Sequence, residues 1–398
     1  MCRLVLNSKP VQIALEKAIK HESANREQVE KNALLIFDCK SSTQISNKTH
    51  LFNSSCFPHR SNKYFSPTHH TFMVWYCCHD YLSMMCYLIS LCFAVCLSVC
   101  LCLVSFLAMY AEVRVKEVRA AMYLMRKVWR QIYEGIRVNL EGIQMLQNLS
   151  NQGVPYVLCP MHKSHIDYLL LSYVCFAYHI FPPHVISGEN LNIPLVGPVL
   201  SWGGGVFIRR EFGQDDLYKA IFNEYVAQLL LLGHNLECFI EGARSRTGKL
   251  KNPKTGFLSV LVDIIASGRL EKDIALIPIA ISYDKVIEGA TFVNEMLGAK
   301  KQKESLTGLI NSLNHVIRLN FGSIDISICQ PISLRSSLPS PSSSFIGMAA
   351  NDKRRIIKAI AYNVMYSMNL RLVISPTAMV ATVLLTQLNR GIPMDKLE

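Results

Sequence analysis

Several chemistries are absent from this chain of 398 residues. No G-x-S-x-G segment occurs, which removes the nucleophile elbow of serine hydrolases. Gly242 to Lys249 resembles a P-loop, but five residues separate its glycines and Leu250 stands where a metal-binding hydroxyl belongs, so nucleotide hydrolysis is not supported. Gly203-Gly204-Gly205 does not fit a dinucleotide fingerprint. Of fourteen cysteines, ten lie before residue 103 and none form pairs with metal-ligand spacing, which argues against a zinc site and a disulfide scaffold. The remaining Cys159, Cys175, Cys238 and Cys329 sit in apolar runs and read as buried free thiols. Acidic residues are also short: 29 Asp and Glu against 41 Lys and Arg leave a net charge of +12. Such a balance favours an anionic partner, whether nucleic acid, phosphorylated metabolite, coenzyme or lipid surface. Aromatics are not interleaved with the basic loops, which weighs against nucleic acid.

Half of the residues are hydrophobic, enough for a sizeable core. Residues 1–72 are polar without a sustained apolar period and read as a poorly ordered segment, and Met1 to Pro10 lacks the basic start and apolar core of a secretory signal. Residues 81–110 carry no charge and exceed the roughly 20 residues that a membrane-spanning helix needs, so a transmembrane or membrane-inserted helix is expected there. Within it, Cys96 to Cys102 repeats a Cys-Leu-Ser-Val pattern of the kind a tetranucleotide repeat encodes in frame. Glu112 to Asn148 alternates basic and apolar residues at helical spacing, with Val118, Met122, Met125 and Trp129 on one stripe and a helical reading continuing from Ile132 to Leu149. This amphipathic stretch suits either an anionic membrane surface or packing on its own domain.

From Val154 onward β-prone runs alternate with helical ones. Strands are expected at 154–161, 184–187, 205–209, 236–241, 274–283 and 323–329, and helices at 165–178, 215–232, 256–267 and 303–320. The fold class is therefore α/β, with a largely parallel sheet flanked by helices, preceded by the apolar membrane-type helix and followed by a short helical segment. The α/β domain is expected over 113–335, a serine- and proline-rich linker over 336–344 and a helical region over 345–398.

The stretch Pro160-Met161-His162-Lys163-Ser164-His165-Ile166-Asp167 sits where an apolar strand turns into an apolar helix. Ser164 and Asp167 have capping-box spacing, and a carboxylate suits a helix start. An imidazole oriented by a carboxylate is also a general base for a hydroxyl near neutral pH, so His162 and Asp167 are the catalytic candidates. The two roles are compatible, because a carboxylate pinned by a helix start is a rigid orienter. His165 is read as wall or surface. Gly203 to Arg210 and Glu241 to Lys249 each bring glycines and guanidiniums to a strand end, a combination that matches phosphate oxygens. Each alone also reads as a solvated basic loop. Together, after strands of one sheet, they point to an anion site.

The His-x4-Asp of His162 and Asp167, the Gly205-to-Arg210 block, the Phe239-to-Arg246 block and the Ile277-to-Asp284 block, in that order, resemble the four motifs of the glycerolipid acyltransferases. The resemblance covers about residues 115–398. Lys303 to Leu309, Asn320 to Ile324 and Pro331 to Arg335 are most similar to the dihydroxyacetone phosphate branch, the first step of ether-lipid synthesis, whereas Ser187 to Pro194 leans toward the glycerol-3-phosphate branch. The resemblance implies acyl transfer from acyl-CoA, as co-substrate, to the primary hydroxyl of dihydroxyacetone phosphate, with glycerol-3-phosphate as the alternative acceptor. A truncated membrane protein that binds phosphorylated ligands without turnover is the rival. It further implies His162 as base and Asp167 as its orienter, with Arg209, Arg210, Arg244 and Arg246 on phosphate. Glu241, Gly242 and Ser245 would shape the loop, and Pro278 would form a wall. No metal and no resident cofactor is implied, since the thioester is already activated. A peroxisomal membrane is the implied location, with mitochondrial or endoplasmic reticulum membranes as alternatives. Two departures stand out: Ala243 replaces the usual threonine or glycine, and the chain reaches Glu398 without a peroxisomal tripeptide.

Overall fold

The computed structural model describes residues 5, 8–24, 109, 111, 113–192, 196–209, 215–298, 319–340 and 342–386. The apolar stretch 81–110 thus lies outside the described residues except for Met109, and so do Arg210 and most of the expected helix 303–320. Among the described residues no helix is long and apolar enough to cross a membrane. The chain divides into two compact units. One includes α1 (Lys9–Ala24); the other, residues 108–213 and 222–398, contains the sheet.

That sheet is built from β1 (Gly135–Val138), β2 (Tyr156–Pro160), β3 (His184–Gly188), β4 (Gly205–Ile208), β5 (Leu236–Cys238), β6 (Ala275–Tyr283), β7 (Ser323–Ile328) and β8 (Ile332–Ser333). Its order is β1-β7-β6-β2-β5-β3-β4, with β8 also on β6. The five strands β6, β2, β5, β3 and β4 run parallel, so their carboxyl ends share one edge. β7 and β8 pair antiparallel with β6, and β1, parallel to β7, shares their direction. Strands β2 and β6 are buried almost throughout, as expected when helices cover both faces.

The covering helices are α2 (Val115–Ile132), α3 (Leu140–Asn151), α4 (Asp167–Ala177), α5 (Val196–Trp202), α6 (Asp216–Leu231), α7 (Gly256–Ala266), α8 (Gly289–Met296) and α9 (Ala350–Leu370); α10 (Pro376–Thr386) follows them and buries no residue. Trp129 and Ile132 of α2, Ile143 and Leu146 of α3, and Leu170, Leu171 and Val174 of α4 pack with Ile277, Ile279 and Ile281 of β6. The apolar stripe of α2 therefore packs on its own domain, while Arg119, Arg126, Lys127 and Arg130 stay exposed on its outward side. Helix α9 covers the opposite face of β6.

The continuous helix read from Ile132 to Leu149 is interrupted. Tyr133 is extended (φ −123°, ψ 143°), and Gly135 to Val138 pair with Ser323 to Ile326 as β1. Asn139 ends the strand by imitating it, donating to the Ile328 carbonyl at 3.0 Å and accepting from the Ile328 N–H at 2.7 Å. A four-residue strand with β-branched Ile136 and Val138 is too short for its period to outweigh the helical signal on either side. In the serine-rich stretch, Leu338 is buried and Phe345 just beyond it is buried too, so the stretch is anchored at both ends.

Glu237 is an unusual core residue. It lies on β5 opposite Leu158 and Val185, fully buried, with neither carboxylate oxygen hydrogen-bonded. Burial, with a smaller contribution from the negative charge of Asp167, pushes its carboxyl well above the usual range. Below the unfolded pKa both states hold the proton and no stability is at stake. As pH rises through the window up to the folded pKa, the unfolded chain ionises first and stability falls. Glu237→Gln is therefore expected to raise Tm relative to the parent increasingly from pH 5 to pH 8; a Tm difference that is flat across that range would contradict a neutral buried acid.

Candidate active site

The site forms at the carboxyl ends of β2, β5 and β6, three adjacent parallel strands, where open α/β sheets place their ligands. Strand β2 ends at Pro160, and the turn to α4 carries His162 and Asp167. His162 Nδ1 lies 3.0 Å from Asp167 Oδ2, with the His162 side chain 19% exposed and that of Asp167 0%. The same Oδ2 accepts the backbone N–H groups of Lys163 (2.8 Å) and Ser164 (2.9 Å). Half of the expected capping box is therefore made. The Ser164 hydroxyl donates to Glu288 Oε2 at 2.8 Å and accepts from the Ile166 N–H at 3.4 Å, rather than from the Asp167 N–H that the capping box calls for. Since a carboxylate only accepts, the proton on His162 sits on Nδ1, and Nε2 is left as the basic nitrogen.

The loop after β5 locks this turn in place. Glu241 Oε1 accepts the His162 N–H at 2.9 Å and Oε2 accepts the Lys251 N–H at 2.8 Å, while the Ser245 N–H donates to the His162 carbonyl at 2.8 Å. Burial raises the Glu241 carboxyl above its usual range, against the opposing pull of those two N–H donors. The Ser245 hydroxyl closes its own loop on the Lys249 carbonyl at 2.5 Å. Gly242 has φ +66°, and a Cβ there would sit 2.8 Å from Lys254 Cγ, so both the backbone and the neighbour require glycine. Phe239 supports the imidazole, with ring centroids 4.2 Å apart.

The basic residues divide. Arg244 pairs with Glu288 at 3.4 Å and stacks over Phe292, and Arg246 pairs with Glu295 on α8. Both flank Ser245 in the chain, on the loop that holds the His162 backbone. Arg209 follows β4, three strand positions from β2 or about 14 Å along the sheet edge. It shares the edge but is not brought to the imidazole. Pro278 lies within β6 opposite Cys159, buried, with its carbonyl accepting from Cys329 N at 2.9 Å. It is a strand residue below the rim, on the side of the sheet away from Ile277 and Ile279.

Two residues at the site carry no role in the sequence reading, although Tyr283 lies in the Ile277-to-Asp284 block at a strand end. Tyr283, the last residue of β6, donates its phenol to Asp167 Oδ1 at 2.5 Å. Glu288 takes the Ser164 hydroxyl, the His165 N–H at 2.7 Å and Arg244. Strand alternation puts Tyr283 on the side of Ile277, Ile279 and Ile281, which is the side of α4; but a strand buried on both faces hides its alternation. Glu288 lies 121 positions from Asp167 in a turn with no motif, and nothing local marks it.

An acyltransferase family model matches residues 137–282, and a model described as glycerol-3-phosphate acyltransferase C-terminal region matches 292–398. A glycerol-3-phosphate acyltransferase of Shewanella pealeana is 35% identical over 288 residues, 71% of this chain and 35% of that protein. Those of Xanthomonas axonopodis pv. citri and Pseudomonas fluorescens are each 40% identical, over 56% and 58% of this chain and 24% and 26% of theirs. The chain thus spans about a third or less of the length of the curated relatives it matches. The crystal structure of a 1-acyl-sn-glycerophosphate acyltransferase from Thermotoga maritima aligns with a TM-score of 0.37 and 16% identity, over 65% of this chain and 81% of that one. Residues 137–282 thus match an acyltransferase domain and residues 292–398 the glycerol-3-phosphate acyltransferase C-terminal region, in that order along the chain.

Proposed function

We propose that the chain transfers a fatty acyl group from acyl-CoA to the primary hydroxyl of glycerol-3-phosphate. The observation that carries this is the His162–Asp167 pair, whose Nδ1 is engaged at 3.0 Å so that Nε2 is the available base. As the acceptor oxygen bonds to the thioester carbon, Nε2 takes the hydroxyl proton. When the C–S bond breaks, the same proton passes to the departing thiolate sulfur, and the ring returns to its starting state. Asp167 keeps its charge throughout and stabilises the transient imidazolium.

Dihydroxyacetone phosphate is the less supported acceptor. Lys303 to Leu309, which pointed to it, lie outside the described residues, and the relatives above are named for glycerol-3-phosphate. Ether-lipid synthesis and a peroxisomal location therefore do not enter the proposal. The exposed cations of α2 support a lipid surface as the place where the product is released.

Arg244 and Arg246 are the proposed contacts of the acceptor phosphate, which would share or displace their carboxylate partners Glu288 and Glu295. One charge-assisted contact is worth about 1.5–3 kcal/mol. Arg246→Ala is accordingly expected to raise KM for glycerol-3-phosphate at least about ten-fold with little change in KM for acyl-CoA. An increase confined to acyl-CoA would move these guanidiniums to the coenzyme phosphates.

A further inference from the structure

We infer that Tyr283 is a positioning residue for the proposed transfer: from the end of β6 its phenol holds Asp167 Oδ1 at 2.5 Å, fixing the carboxylate that orients His162 and restraining its pull on the imidazole proton. The inference rests on the reading of His162 as the base.

The carboxylate of Asp167 is fully buried and divides its donors unequally. Oδ2 takes two backbone N–H groups and the imidazole, all from its own turn. Oδ1 takes the phenol, which arrives from a strand 116 positions away. Tyr283 thus adds a long-range tie from the carboxylate itself to β6, beside those that Glu241, Ser245 and Glu288 make to the rest of the turn. Its ring is backed by Tyr133, with centroids 6.4 Å apart. Burial first, and then the negative charge of Asp167, push the phenol well above the ordinary tyrosine range, so it stays a donor wherever the enzyme works.

A hydrogen bond to a carboxylate lowers its affinity for a proton. Without the phenol, charge on Asp167 shifts toward His162 and the imidazolium becomes easier to form. The other ionisable groups facing Asp167 are Tyr133 at the end of α2, Glu237 on β5, Glu241 after β5, Glu288 before α8 and its own neighbour Lys163. Of the glutamates, Glu237 and Glu241 are both pushed toward the neutral form by burial, and Glu288 is paired with Arg244. Tyr283 is the side chain other than His162 that hydrogen-bonds the carboxylate among the described residues.

The test uses the full chain and reads His162 directly. Diethyl pyrocarbonate modifies neutral imidazole, and the pH midpoint of His162 modification can be followed by fragment mass spectrometry alongside the acid limb of kcat/KM. Tyr283→Phe is expected to move both midpoints up. Incorporation of 3-fluorotyrosine at position 283, a stronger donor of nearly unchanged shape, is expected to move both down. The fluorinated protein answers the question even where the phenylalanine variant fails to fold. Midpoints that stay put, or that move the same way in both proteins, overturn the positioning role. Opposite shifts in the modification midpoint, combined with no acyl transfer by the parent protein, support the Tyr283–Asp167–His162 linkage and overturn the acyltransferase reading alone.

Discussion

Replacing His162 with alanine is expected to lower kcat/KM for acyl transfer by roughly 10² to 10⁴, the usual worth of a positioned general base. The substitution removes the proton acceptor and little else. His162 is partly exposed, and its backbone N–H and carbonyl remain held by Glu241 and Ser245. Asp167 would keep the N–H groups of Lys163 and Ser164 and the phenol of Tyr283, so no buried carboxylate oxygen loses all its donors. A Tm near that of the parent should therefore accompany the kinetic loss, and the two measurements together separate chemistry from folding. The loss should also appear in kcat as well as kcat/KM, because the base acts on the bound acceptor rather than on its binding. Transfer at the parental rate by the alanine variant removes His162 from the mechanism.

At Asp167, asparagine and alanine should behave differently, and the site predicts why. An asparagine can place its carbonyl oxygen where Oδ2 stands, keeping the donors from Lys163, Ser164 and His162. Its amide nitrogen then meets the Tyr283 hydroxyl, which accepts as readily as it donates. Orientation and tautomer survive; the negative charge is lost. Hydrogen bonds to charged groups contribute about 1.5–3 kcal/mol, so Asp167→Asn is expected to cost about 10- to 160-fold in kcat/KM. Asp167→Ala strips the shared acceptor from a fully buried turn and leaves several donors unpaired, at about 1–3 kcal/mol each. A clear drop in Tm is expected for alanine and not for asparagine. Equal kinetic and thermal behaviour of the two would show that Asp167 serves only as a cap.

The parts of this molecule that local chemistry dictates were legible in the chain. Apolar runs at 156–160, 275–283 and 323–328 and the helical stretches between them gave the alternation of an α/β sheet. The His162–Asp167 spacing gave the hydrogen-bonded candidate pair, because five positions across a strand-to-helix turn close into a single hydrogen bond. What was hidden is long-range. Strand β1 owes its existence to pairing with β7, nearly two hundred positions on, and to the side chain of Asn139, whose strand-like bonding no period reveals. Tyr283 and Glu288 reach the turn of Ser164 and Asp167 only because β6 lies beside β2. Pro278 belongs to the same motif block and lies inside β6 opposite Cys159, a depth that the motif alone does not give. Arg209 shares the rim with the pair, but sheet order sets it three strands away, a distance that a one-dimensional reading cannot supply.

The most direct measurement is the mass spectrum of the products formed when the purified chain meets palmitoyl-CoA with glycerol-3-phosphate, dihydroxyacetone phosphate or unphosphorylated glycerol. A palmitoyl ester of glycerol-3-phosphate, formed faster than that of dihydroxyacetone phosphate and absent with glycerol, is the predicted outcome. Coenzyme A release with no ester on any acceptor, or an ester on glycerol as fast as on its phosphate, would contradict it.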